Sequence, residues 1–163
     1  MLRIGIFVNI TNQFGALNQK KKGHKVNYER YLTYFLGDGE KVIMANAYGT
    51  QVAGEAESFI HALRKMGYLT KFLLSQKVGN QDIVHPARNV EMTVDVLGSA
   101  DKLDIVVLGS NDTELIPLIV HLQGRGIKVI VATPYLEHAK ANISIELVST
   151  DLVENIQAMR EKR

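Results

Sequence analysis

Residues 104–118 read DIVVLGSNDTELIPL: an apolar run to Gly109, a polar cluster from Ser110 to Glu114, then apolar spacing that continues to Gln123. A run this rich in β-branched residues fits a strand covered on both faces, and the spacing of Glu114–Gln123 fits a helix. Strand passing directly into helix is half of a crossover unit. The same alternation repeats outward in both directions. Arg3–Asn9 (RIGIFVN), Lys41–Tyr48 (KVIMANAY), Tyr68–Leu74 (YLTKFLL) and Lys128–Ala132 (KVIVA) read as further strands, with Ile143–Leu147 as a sixth, edge strand. Tyr28–Leu36, Glu55–Met66, Asn89–Leu97 and Leu152–Arg160 read as the other helices. The expected architecture is α/β: a doubly wound, mostly parallel five- or six-stranded sheet with helices on both faces.

The punctuation agrees. Asn27 caps the helix that opens at Tyr28, and Gly67 stands one residue beyond Met66, where a C′ glycine belongs. Gly124-Arg125-Gly126 ends another helix, and Ser149-Thr150-Asp151 is a capping cluster for the last. Ser75–Pro86 reads as a loop long enough to suggest a function. No linker or internal repeat divides residues 1–163, which are expected to form one domain.

Composition excludes several chemistries. The 163 residues contain no cysteine, so disulfide scaffolds, Cys-zinc sites, iron–sulfur clusters and thiol catalysis are out. Hydrophobic residues make up 46% and charged residues 22%, as in ordinary globular domains and unlike disordered chains. A net charge of +2 is too near neutral to argue for a nucleic-acid-coating protein. The apolar run Ile4–Val8 is too short for a membrane span and lacks a signal-peptide cleavage pattern, so a cytoplasmic protein with no membrane partner is expected. The five histidines show no HExxH spacing, and neither GxGxxG nor a P-loop is present.

In open α/β sheets, ligands bind beyond the carboxyl ends of the strands. Two polar clusters fall there, Asn9-Ile10-Thr11-Asn12 and Ser110-Asn111-Asp112-Thr113-Glu114. Asp112 and Glu114 have two readings: capping of a helix N-terminus, or carboxylate ligation of Mg²⁺ or Mn²⁺. Glu91 and Asp95, four apart on a helix whose apolar stripe is Val90, Val94 and Leu97, either face water or share a divalent cation. Lys20, Lys21, Lys22, His24 and Lys25 form either a solvated loop or a clamp for a nucleic-acid backbone. Phe14, Tyr48 and Tyr135 lie near strand ends, where they pack or stack bases.

These segments resemble the NYN domain family of PIN-like ribonuclease domains, and most closely its LabA-like branch. The similarity spans nearly the whole chain. Its most specific part is Ser110-Asn111-Asp112-Thr113-Glu114-Leu115-Ile116-Pro117-Leu118, similar to the family's Ser-x-Asp-x-acid-hydrophobic-hydrophobic-Pro-Leu run. Asn9 to Asn12, Val26–Leu32, Ala45–Tyr48, Arg88-Asn89-Val90-Glu91 and Gly126–Ala132 are similar to other segments of the family. The resemblance implies a PIN-like fold with an acidic pocket that binds Mg²⁺ or Mn²⁺ and hydrolyses phosphodiester bonds of single-stranded RNA. It makes Asp112 the principal metal ligand, Glu114 its neighbour, Glu91 and Asp95 further ligands, and Asn12 an orienting group. Ser110 and Asn111, with Lys20, Lys21, Lys22 and Lys25, would contact the RNA.

The chain departs from that pattern at informative places. Asn9 stands where the family has an aspartate, Ile10 and Asn111 replace glycines, and Glu114-Leu115 replaces Asp-Phe. A neutral amide is a weaker ligand than a carboxylate for a hard dication, so the expectation is a metal-dependent endoribonuclease weakened by Asn9. The alternative is a catalytically inactive NYN-fold nucleic-acid-binding or regulatory domain. PIN-like domains often pair, so Leu152, Val153, Ile156 and Met159 are expected to cover either the sheet or a second subunit of a homodimer.

Overall fold

The computed structural model describes residues 1–14, 24–51, 57–74, 77–78, 81–82, 87–132, 146–148 and 153–155. Six strands form one parallel sheet: β1 (Leu2–Asn9), β3 (Glu40–Gln51), β4 (Leu69–Leu74), β7 (Ile105–Gly109), β8 (Lys128–Ala132) and β9 (Glu146–Val148), in the order β4-β3-β1-β7-β8-β9. The chain winds outward from β1 to β3 and β4, then returns to place β7 on the other side of β1. The order therefore reverses between β1 and β7, the place where such sheets open a crevice at their carboxyl ends.

Alternation along the strands divides the core in two. Ile4, Ile6 and Val8 of β1 point to one face with Ile105, Val107 and Ile130. There they meet Tyr28 and Tyr31 of α2 (Tyr28–Tyr34), Phe35 just beyond it, and Leu63 of α3 (Glu57–Met66). Phe7, Val106, Leu108, Val129 and Val131 point to the other face, against Met92 and Val96 of α4 (Arg88–Ser99) and Leu118, Ile119 and Leu122 of α5 (Ile116–Gly124). Helices thus cover both faces, which is why the central strands carry no polar alternation. α1 (residues 10–14) continues directly from β1 within the described residues.

The predicted stops are met. The Asn27 side chain accepts from the backbone N–H of Arg30 at 3.0 Å. Gly67 and Gly126 take φ of +112° and +78°, a left-handed geometry that L side chains resist.

Three expectations are corrected. The Val90, Val94, Leu97 stripe of α4 faces outward, with Val90 and Val94 each 63% exposed. The buried side is Arg88, Asn89, Met92 and Val96. Two apolar stripes compete on this helix, and the one sharing a side with Arg88 and Asn89 packs inward, because those two polar groups find partners only there. Within Ser75–Pro86, two short strands pair antiparallel, β5 (Lys77–Val78) and β6 (Gln81–Asp82). Val153–Asn155, expected to be helical, is instead β10, antiparallel to β2 (His24–Val26) with Glu154 opposite Lys25; an available strand partner overrides local propensity. The expected edge strand beside β8 is present as Glu146–Val148, and residues 143–145 of the expected run lie outside the described residues. Lys20, Lys21, Lys22, Tyr135, the Ser149-Thr150-Asp151 cluster, Leu152, Ile156 and Met159 lie outside the described residues.

Candidate functional site

β1 ends at Asn9 and β7 at Gly109, directly opposite Val8 in the register. A Cβ at Gly109 would stand 2.8 Å from Val8 Cγ1 and 3.2 Å from its Cα, so glycine lets the two strand ends approach. The loops that follow are bound to each other by amides. Asn12 clamps Asn111 at two points: its Oδ1 accepts from the Asn111 backbone N–H at 3.0 Å, and its Nδ2 donates to Asn111 Oδ1 at 2.7 Å. Ser110, fully buried, accepts from the Asp112 N–H through Oγ at 3.2 Å. Beneath the clamp, buried Gln13 holds Asn12 and accepts from the Tyr31 hydroxyl, which also donates to the Ala132 carbonyl.

A second amide chain leads to the acids. Asn9 Oδ1 accepts from the Asn12 N–H at 3.0 Å, which only an oxygen can do, so Asn9 Nδ2 must face the other way. It donates to Asn89 Oδ1 at 2.7 Å. Asn89 is thereby oriented too, and its Nδ2 donates to both Asp112 Oδ2 at 2.9 Å and Glu114 Oε1 at 2.7 Å. One nitrogen thus gathers two carboxylates from a single turn, and Asn9 dictates that it is a nitrogen. Asp112 also caps the short 3₁₀ turn Thr113–Leu115, accepting from the Glu114 N–H at 3.2 Å. The capping and converging roles coexist on its two oxygens.

Glu91 and Asp95 have cations of their own. Glu91 pairs with Arg88 at 2.9 Å, and Asp95 Oδ2 accepts from Lys71 Nζ at 2.6 Å and from the Tyr48 hydroxyl at 2.7 Å. Burial pushes the Asp95 carboxyl up, but the bonds from Lys71 and Tyr48, with the charges of Lys71 and Arg88, outweigh it and hold it below the usual range. Burial, then the bond to Asp95, pushes the Tyr48 phenol well up. Tyr48 is wholly buried, so it packs and cannot stack a base, whereas Phe14 is 72% exposed.

A depressed carboxyl stabilises the fold above its unfolded value, near 3.9, and that stabilisation disappears as pH falls through the lower folded value. Asp95→Asn should therefore flatten the decline of stability below about pH 4, read as the urea midpoint against pH. An unchanged acid limb would show that the Lys71–Asp95–Tyr48 contacts do not bind Asp95 in solution.

Among the described residues, no three His, Asp or Glu side chains stand close enough to hold a metal ion. The convergent pair Asp112 and Glu114 still fits a hard cation that takes one or two carboxylates and keeps its waters. Asn89, the residue that organises this pair, escapes a reading by type alone. Its one sequence signal is an amide beside Arg88 at the opening of the helix.

The model of the NYN domain matches residues 3–152. The chain belongs to the NYN domain family. A solved structure of a protein of unknown function from Vibrio parahaemolyticus RIMD 2210633 is similar in fold to this NYN domain, with a TM-score of 0.76, 21% identity, and 92% of this chain and 93% of that one covered. No curated protein matches. The NYN family links the chain to PIN-like nucleases and nucleic acid, and no helix among the described residues is long and apolar enough to cross a membrane.

Proposed function

We propose that this protein is a metal-dependent endoribonuclease that hydrolyses single-stranded RNA at a reduced centre made by Asp112 and Glu114. The reading takes residues 1–163 as one cytoplasmic domain with RNA as its partner. The observation that carries it is the convergence of two carboxylates on Asn89 Nδ2 beside the ends of β1 and β7. Asp112 and Glu114 would hold Mg²⁺ or Mn²⁺, which when bound supplies an activated water and neutralises charge developing on the phosphate. The Asn12–Asn111 clamp holds the two loops in fixed register, and the Asn89 amide would have to withdraw from between the acids as the ion enters. Asn111 lines the approach, and Lys25 with the lysines before it contributes sequence-independent contacts to the backbone; Ser110, expected to touch RNA, is instead buried and holds the Asp112 N–H.

The experiment is incubation of single-stranded RNA with the protein in Mn²⁺, in Mg²⁺ and in EDTA. Cleavage is expected with either ion and absent in EDTA. A second reading, an NYN-fold RNA-binding domain without turnover, is favoured by the Arg88–Glu91 and Lys71–Asp95 pairs and by the amide between the remaining acids. It predicts RNA affinity that falls steeply with salt and no cleavage in any divalent ion.

A further inference from the structure

A cleft of about 340 Å³ opens between α3, the end of β3, the strand β4 and the first turn of α4. That volume lies at the lower end of pockets that take small organic ligands, roughly 300–1,000 Å³. Its walls bring three cations, Arg64, Lys71 and Arg88, against one carboxylate, Glu91. Lys71 is engaged by Asp95, and Arg88 by Glu91 and the Lys71 carbonyl. Arg64 donates from Nε to the Thr70 hydroxyl at 2.8 Å, and no carboxylate among the described residues pairs with it.

Two buried polar atoms on these walls have no hydrogen-bond partner: Arg88 Nε, on a side chain 4% exposed, and Gln51 Oε1. Folded proteins rarely leave such groups unmet. One is a donor and the other an acceptor, the two functions that a base edge or a ribose carries. Phe72 adds an aromatic wall. It lies opposite Gly49 in the β3–β4 register, and a Cβ there would run into its ring, so the ring rests on the bare backbone of β3.

We propose that this cleft binds one nucleotide unit, with its phosphate on Arg64 and its base and ribose against Phe72, Gln51 and Arg88. Arginine suits phosphate oxygens, an aromatic ring suits a base face, and sugar hydroxyls and base edges carry the mixed donors and acceptors that the two orphan atoms lack. The inference rests on the RNA-directed reading above. Arg88 and Asn89 are neighbours on α4, their Cα atoms about 3.8 Å apart; one lines the cleft and the other holds Asp112 and Glu114. A nucleotide adjoining the phosphate held at the acids is therefore within reach.

The test uses the full chain in EDTA, with UMP, AMP, uridine, inorganic phosphate and a single-stranded oligouridylate as probes in calorimetric titrations. Mononucleotides are expected to bind at least tenfold tighter than uridine or phosphate alone. Arg64→Ala should weaken them about tenfold, and Gln51→Leu several-fold, with circular dichroism unchanged. If the oligouridylate weakens in parallel, the unit belongs to RNA; if only mononucleotides weaken, it is a free nucleotide, and both outcomes support the cleft. Equal mononucleotide affinity in the native protein and both folded variants overturns it. Absence of RNA cleavage with mononucleotide binding intact removes the proposed activity and leaves the cleft standing.

Discussion

Asn9→Asp is expected to raise Mn²⁺ affinity by about 10–100-fold and to increase Mn²⁺-dependent RNA cleavage by at least as much, consistent with one added charge a few ångströms from a dication. The reasoning follows the amide chain. Asn9 must keep its oxygen on the Asn12 N–H, so its nitrogen faces Asn89 and forces Asn89 to present its own nitrogen to Asp112 and Glu114. A carboxylate at position 9 has no donor to offer. It would still accept from the Asn12 N–H, and its other oxygen would demand the Asn89 nitrogen. The Asn89 amide then rotates by half a turn about its terminal torsion and delivers its oxygen to the acids. Three carboxylates and an amide oxygen would then face one another where a side-chain donor now bridges two of them. Without metal that arrangement repels itself, so the variant should unfold at lower urea in EDTA and regain stability as Mn²⁺ is added. Calorimetric titration with Mn²⁺ decides: equal affinity in both proteins would mean that the amide chain does not control the site.

This dependence of one amide on another also explains what the sequence hides. The central strands are legible because Arg3–Asn9, Asp104–Gly109 and Lys128–Ala132 are apolar on both faces, a pattern only a covered parallel sheet produces. The edge of the site is legible for a related reason: polar residues after two such strands must lie at their carboxyl ends, and Asn9, Asn12, Asn111 and Asp112 do meet there. α4 is not legible. It carries apolar residues on two sides, and what decides between them is whether Asn89 can reach Asn9, a contact across 80 positions in the chain. The pairing of Asp95 is lost with it, since Lys71 comes from a strand whose register the sequence does not state. β2 and β10 are three residues each, too short for any period to show, and exist only because they find each other.

Asp112→Asn is expected to reduce metal-dependent RNA cleavage at least 100-fold while leaving the fold intact, since it removes one of two convergent charges. The side chain has two separable duties. Its Oδ1 caps the 3₁₀ turn, and an asparagine keeps that acceptor, so the turn from Thr113 to Leu115 retains its start. Its Oδ2 receives Asn89, and there the variant opposes two amide nitrogens, at a cost of about 1 kcal/mol. The second readout separates chemistry from damage. Removing a negative charge beside the RNA path should tighten metal-free RNA binding, because phosphates no longer face two carboxylates. Lower turnover with equal or tighter binding in EDTA is the signature of a residue that serves the reaction. Turnover and binding falling together would reduce Asp112 to a helix cap, and cleavage within twofold of the native protein would remove it from the centre altogether.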